Sequence, residues 1–218
     1  INDLGVAWQL VPDDLNDSFF ESDLVVFGGT ALVPNLHEGL SDLLKQAKSS
    51  GCLTVVNTVY DFRSELLHPG KPWMLGRDRE SYRYMDLLIT DCEEAQHLSG
   101  LNDLRDAGRF FLDQGVSAYI LTNGSEDISC GCQGDLFSAP ARDSYPVSEA
   151  IVRDLQNHRT GDTTGCGDNF VGGVLTSLAW QLSEGKETFD MEDCICWAMV
   201  SGGLACFHLG GTFIESEA

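Results

Sequence analysis

The sequence predicts an α/β fold: a mainly parallel sheet flanked by helices on both faces, in three layers. Three observations carry that prediction. Short apolar runs recur at Leu24–Phe27, Leu53–Val56, Leu87–Thr90 and Ala118–Thr122. Each run is near-continuous in hydrophobicity, as a strand covered on both faces must be, instead of alternating like a strand with one wet face. Stretches of helical period lie between the runs, and parallel neighbours need crossovers of that kind.

The elements follow in order. The first run ends in Gly28-Gly29, a small-residue turn. Leu36, Leu40, Leu43, Leu44 and Ala47 then fall at helical spacing and stop at Ser49-Ser50-Gly51, where glycine supplies a helix terminus. Leu104, Ala107, Phe110 and Phe111 do the same before Gly115. Late in the chain, Phe170, Val171, Val174, Leu175, Leu178, Ala179 and Leu182 form one apolar helical face. Cys194 to Ile214 contains no Asp, Glu, Lys or Arg, a length that suggests a membrane span. Its four glycines (Gly202, Gly203, Gly210, Gly211) and His208 favour a buried helix followed by a loop. No repeat, low-complexity run or Pro/Gly linker divides residues 1–218, which are read as one domain.

Composition narrows the function. With 34 acidic and 13 basic side chains the formal charge is −21, while 43% of residues are hydrophobic. That apolar content excludes a disordered chain. The charge argues against nucleic acid, which is bound by cationic side chains that displace counterions, and against anionic membranes. A polyanionic small substrate stays compatible, because backbone amides and a metal can supply positive charge locally. The two C-x-C pairs, Cys130/Cys132 and Cys194/Cys196, lack zinc-site spacing and are not expected to hold metal. On a strand such a pair shares a face; on a helix it points apart. Nothing near Ile1 reads as a secretory leader. Eight scattered, mostly apolar-flanked thiols then fit a reducing, cytoplasmic setting.

The strongest local signal is Gly161-Asp162-Thr163-Thr164-Gly165-Cys166-Gly167-Asp168, immediately before the apolar helical face. Small residues at a helix start let free N–H groups approach a ligand, and those amides with the helix dipole form an anion site. An acidic residue there has two readings. Asp168 is either an ordinary helix cap or a general base placed beside a phosphoryl group in transfer. Each histidine, His158 beside this motif included, reads as a surface or core residue.

Asp-Thr-Thr-Gly-Cys-Gly-Asp resembles the D-T-x-G-A-G-D signature of the ribokinase (PfkB-type) sugar and nucleoside kinases, and Asn169-Phe170-Val171-Gly172-Gly173 is similar to that family's continuation. The resemblance extends along most of the chain in the family's order. Asp23 to Gly29 resembles its strand ending in a small-residue turn. Ala47-Lys48 through Gly51 and the Leu53 strand are similar to its helix–strand unit. Met85 to Ala95, ending at Leu98-Ser99-Gly100, is similar to its "aDill.N..Ea..l.G" segment, and Ile120 to Ser125 to its "vvT.G" nucleotide-loop entry.

The resemblance implies a ribokinase-like, Rossmann-like architecture and an ATP-dependent phosphotransferase acting on a hydroxyl of a sugar or sugar derivative. Asp168 would be the base, with Gly165, Cys166 and Gly167 presenting amides to the transferring phosphoryl group. Thr122, Gly124 and Ser125 would lie against the nucleotide. Glu94 would help hold Mg²⁺ through water, with Asp91 beside it, and Asp162 and Thr164 match positions that ligate a monovalent cation such as K⁺ in some members. Gly28, Gly29 and Arg63 fall on the substrate side. Asn57 to Arg63 resembles the family's D-x-N-x-R strand end only loosely, so Asp61 and Arg63 either touch substrate or form a surface ion pair. A small-molecule substrate is the expected partner, and a homodimer is admitted.

Three departures stand out. Asp91 occupies the place of a usual Asn, Cys166 that of Ala, and Asp127 that of a common Gly. The N-terminal portion of family members, with a substrate-binding Asp and a β lid, is expected to be absent from these residues. A nucleoside kinase of the same scaffold and a catalytically silent regulatory relative are the alternatives.

Overall fold

Four parallel strands lie side by side in chain order, and two antiparallel strands extend the sheet beyond them. They are β1 (Leu24–Gly28), β2 (Leu53–Asn57), β3 (Leu87–Asp91), β4 (Ala118–Thr122), β5 (Ile128–Cys132) and β6 (Ser144–Tyr145), in the order β1-β2-β3-β4-β5-β6. The computed structural model describes residues 5–157 and 161–211. The sheet begins in register at Leu24↔Leu53 and runs through Val55↔Leu87 and Leu87↔Ala118; β4 and β5 then pair antiparallel, Ala118 opposite Cys132.

Period-two alternation sorts the strand residues onto two cores. Val25, Phe27, Val56, Leu88, Tyr119 and Leu121 face one side, where they meet α2 (Leu40–Ser49) and α5 (Leu104–Gln114). Leu53, Val55, Leu87, Ile89, Ala118 and Ile120 face the other, beneath α7 (Cys166–Ser183) and α8 (Met191–Ala205). The crossover helices therefore cover one face and the last helical pair covers the other. Cys130 and Cys132 both belong to the second core, as the strand reading requires.

The remaining helices are α1 (Pro34–Glu38), α3 (Phe62–Leu67), α4 (Cys92–Ser99) and α6 (Glu149–Asn157). The helix read over Leu36–Ala47 is two pieces, α1 and α2, meeting at Gly39. A side chain at Gly39 would meet the Pro12 ring at 2.6 Å.

The apolar face read on α7 needs a correction. Ala179 is exposed, while Ser177 and Gln181 are buried. Ser177 Oγ donates to Asp193 at 2.6 Å, and Gln181 Oε1 accepts the Asp190 N–H at 2.6 Å. Part of the α7–α8 seam is thus polar and internally satisfied, which periodicity of apolar residues could not reveal. In α8, Cys194 is buried and Cys196 exposed, pointing apart as expected. No helix among the described residues is long and apolar enough to cross a membrane. The end of the uncharged stretch, residues 212–214, lies outside the described residues, as does His158.

Candidate active site

In parallel sheets ligands gather at the carboxyl ends of the strands, where the loops begin. At the end of β3, Asp91 caps α4: its Oδ1 accepts the Glu94 N–H at 2.8 Å. Asp91 is also the register partner of Thr122 at the end of β4. The β4–β5 turn follows, closed by the Glu126 N–H donating to the Asn123 carbonyl at 2.9 Å. Cys92 Sγ donates to Asn123 Oδ1 at 3.0 Å and ties that turn to the start of α4. Asp91, Glu94, Thr122 and the turn holding Gly124 and Ser125 are therefore brought together. Gly124 has φ +58°, nothing crowds it, and both turn residues are exposed.

Glu94 is buried, and its carboxylate accepts from the hydroxyl groups of Thr58 and Thr90. Burial outweighs those hydrogen bonds and holds its carboxyl above the ordinary 4.5. Sequence reading missed Thr58 and Thr90; the signal available was a threonine at or just past the end of each of two neighbouring strands. Asp91 Oδ2 and Glu94 Oε1 keep no hydrogen-bond partner among the described residues. That suits Mg²⁺, which keeps several waters and takes one or two carboxylates. Among the described residues no cluster of three or more His, Cys, Asp or Glu forms a closed metal cage.

The second half of the site is the turn into α7. Gly165 is its N-cap at φ +77°, and a Cβ there would strike Gly211 Cα at 2.4 Å. Glycine is required on both counts. Asp168 stands at the third helical position, so the reading of Asp168 as the N-cap is corrected. Its carboxylate is exposed and has no hydrogen-bond or ion-pair partner among the described residues. The Cys166 N–H donates to the Thr163 carbonyl at 3.2 Å, so it is already engaged. For the amides of Gly165, Gly167 and Asp168 the described residues offer no acceptor, and space is open beside Gly167. The unpaired donors thus keep Gly165 and Gly167 of the expected set and exchange Cys166 for Asp168, because the Cys166 N–H to Thr163 bond closes a tight turn.

The segment after α8 buttresses this turn. Asp162 N–H donates to the His208 carbonyl at 3.1 Å. Asn169 Nδ2 donates to the carbonyls of Gly165 at 2.8 Å and Gly211 at 3.0 Å. The Cys166 and Cys206 sulfurs approach to 3.0 Å, and burial with the neighbouring thiol pushes Cys166 up to about 12. Asp162 Oδ1 is occupied by the Thr164 N–H at 2.9 Å, leaving its other oxygen for a cation; Asp162 and Thr164 are both exposed.

Other expected positions fall further out. Gly28 ends β1, and Gly29 donates its N–H to the Asn57 carbonyl at 2.8 Å, which sets the turn. Arg63 is exposed on α3 with no ion pair among the described residues, whereas Asp61 is buried and caps that helix through Ser64 N at 2.8 Å. The surface ion-pair reading of these two is corrected. Asp127 accepts from Ser144 Oγ at 2.9 Å and so fastens β6 to the start of β5. The cavity lined by Thr30, His37, Thr58, Asp61 and Glu94 measures about 10 Å³, the scale of one water, not of a sugar.

Comparison with known proteins bears on this geometry. A family model described as pfkB family carbohydrate kinase matches residues 2–217. Among solved structures, ribokinase from Thermotoga maritima superposes with TM-score 0.60 at 20% identity, covering 91% of this chain and 55% of that one. Adenosine kinase from Trypanosoma brucei brucei gives TM-score 0.68 at 18% identity, covering 94% and 59%. An E. coli structure in complex with ATP and Mg²⁺ gives TM-score 0.65 at 19% identity, covering 93% and 58%. The chain spans between 55% and 59% of the length of these three.

Proposed function

This chain belongs to the pfkB family of carbohydrate kinases, and from that premise we propose that it transfers the γ-phosphoryl group of ATP to a hydroxyl of a sugar or sugar derivative. One observation carries the reading: an exposed, unpaired Asp168 carboxylate in the first turn of α7, beside the open amides of Gly165 and Gly167. Phosphoryl transfer needs alignment and charge neutralisation more than covalent help. Asp168 takes the proton of the acceptor hydroxyl as its oxygen attacks phosphorus. The amides of Gly165, Gly167 and Asp168, with the positive end of the α7 dipole, steady the charge on the transferring group. Thr122, Gly124 and Ser125 position the nucleotide.

Asp91 and Glu94 are the residues that would hold Mg²⁺, which when bound neutralises phosphate charge. Asp162 and Thr164 would serve a monovalent ion such as K⁺. The E. coli neighbour's complex with ATP and Mg²⁺ supports the cofactor pair. The likeness to both a ribokinase and an adenosine kinase keeps nucleosides among the acceptors. A cytoplasmic setting and a small-molecule partner belong to the same proposal.

The test is ATP consumption by the protein, extended by any segment encoded upstream, across pentoses, hexoses, sugar acids and nucleosides, with Asp168→Asn beside it. Turnover with one acceptor class, lost in Asp168→Asn while nucleotide affinity persists, supports the reading. Equal turnover by both proteins overturns the base assignment, and no turnover with any acceptor supports the silent relative.

A further inference from the structure

Among the described residues, one sulfur–sulfur contact occurs, and it lies at the glycine turn. Cys166 is the first residue of α7 and Cys206 the C-cap residue just past α8, 40 positions later, with their Sγ atoms 3.0 Å apart. Both are partly accessible and both are free thiols. We propose that Cys166 and Cys206 form a modification site, a reversible intramolecular disulfide that fastens the phosphate-binding turn to the end of α8. The proposal rests on the phosphotransfer reading above only for its effect on activity.

Geometry supports it. A disulfide holds its sulfurs about 2.0 Å apart, so the pair must close by about 1 Å. The two backbones are already held together by Asp162 to His208 at 3.1 Å and Asn169 to Gly211 at 3.0 Å. Closure therefore draws the glycine turn and the end of α8 together by no more than about that 1 Å. The other cysteines lack this arrangement: Cys130 and Cys132 each donate to a separate carbonyl, and Cys194 meets Gln181.

The oxidant class is a hydroperoxide. One thiol attacks its O–O bond, giving a sulfenic acid and releasing the other oxygen as water from hydrogen peroxide or as an alcohol from an organic hydroperoxide. The second thiol then displaces water from the sulfenic acid to form the S–S bond. Two electrons and two protons leave the pair in all, and a dithiol reductant returns them. The consequence follows from position. Cys166 sits between the two open amides of Gly165 and Gly167, so pulling it toward α8 shifts both. A displacement of about 1 Å in a transfer site costs on the order of 100-fold in rate.

The experiment treats the same protein with hydrogen peroxide, blocks remaining thiols, and maps cross-linked peptides by mass spectrometry. Expected are a peptide joining Cys166 to Cys206, turnover lowered by about 100-fold, and recovery with dithiothreitol. Cys206→Ser is expected to keep its turnover through the same treatment. No joined peptide after prolonged oxidation overturns the site. A joined peptide with undiminished turnover, or equal reversible loss in Cys206→Ser, overturns its effect on the phosphate turn. If the untreated protein phosphorylates nothing, the joined peptide still forms, so failure of the kinase reading and failure of the site are read separately.

Discussion

Asn169 and Gly165 are joined across the first turn of α7, the side-chain amide donating to the glycine carbonyl at 2.8 Å and to Gly211 at 3.0 Å. Both hydrogens of one amide thus hold two chain segments, and with them the open amides of the phosphate turn. Asn169→Ala removes both bonds without touching a ligand. We expect a fall in kcat of about 10- to 100-fold with nucleotide KM little changed. Steady-state kinetics check this, and a fall confined to KM would contradict it.

Gly165 and Gly167 should respond oppositely to substitution. A Cβ at Gly165 meets Gly211 Cα at 2.4 Å on a left-handed backbone, whereas at Gly167 nothing lies within 4 Å. Gly165→Ala is expected to lower stability by more than about 1 kcal/mol. Gly167→Leu should fold with a near-normal melting temperature yet lose phosphoryl transfer, because its side chain fills the open space over the amides. Thermal melts with turnover assays separate the two.

Glu94 predicts a trade between stability and activity. Its carboxyl is raised by burial above the ordinary 4.5 of the unfolded chain. The folded protein therefore keeps this proton more tightly than the unfolded chain does. Stability is greatest below the unfolded value, falls as pH rises through the folded value, and is level beyond it. Glu94→Gln abolishes that step. The variant should melt no lower than the parent at neutral pH, while Mg²⁺-dependent turnover drops. Melting curves between pH 4 and 8, roughly the span over which a raised carboxyl titrates, test the sign.

Asp86 serves the fold alone. Buried between β2 and β3, it accepts the Thr54 N–H at 2.9 Å and Lys48 Nζ at 2.7 Å. Asp86→Ala leaves a strand amide unsatisfied and should cost about 2 kcal/mol. Lys48 is half exposed and can turn to water, which keeps the loss below that of a fully buried pair. Denaturant melts measure it.

Much of this molecule is legible in one dimension. The four parallel strands, the helix stops at Ser49 and Gln114 and the Gly161–Asp168 turn depend on local preference: continuous apolar runs, glycine termini, small residues before a helix. Such signals act within a few residues, so reading them requires no partner. What only the tertiary structure decided involves partners far along the chain. β5, with its Ser, Gly and Cys, becomes a strand because β4 offers an edge, and the two-residue β6 does so because β5 then offers the next. Ser177 and Gln181 are buried because α8 brings acceptors and donors to them. Thr58 and Thr90 reach Glu94 across neighbouring strands, and the segment through Gly211 meets Gly165 and Cys166 some 40 residues from it. Those contacts arise from how the sheet and the α7–α8 pair are stacked, and a hydroxyl, a glycine or a thiol gives no periodic signal of the neighbour it will find.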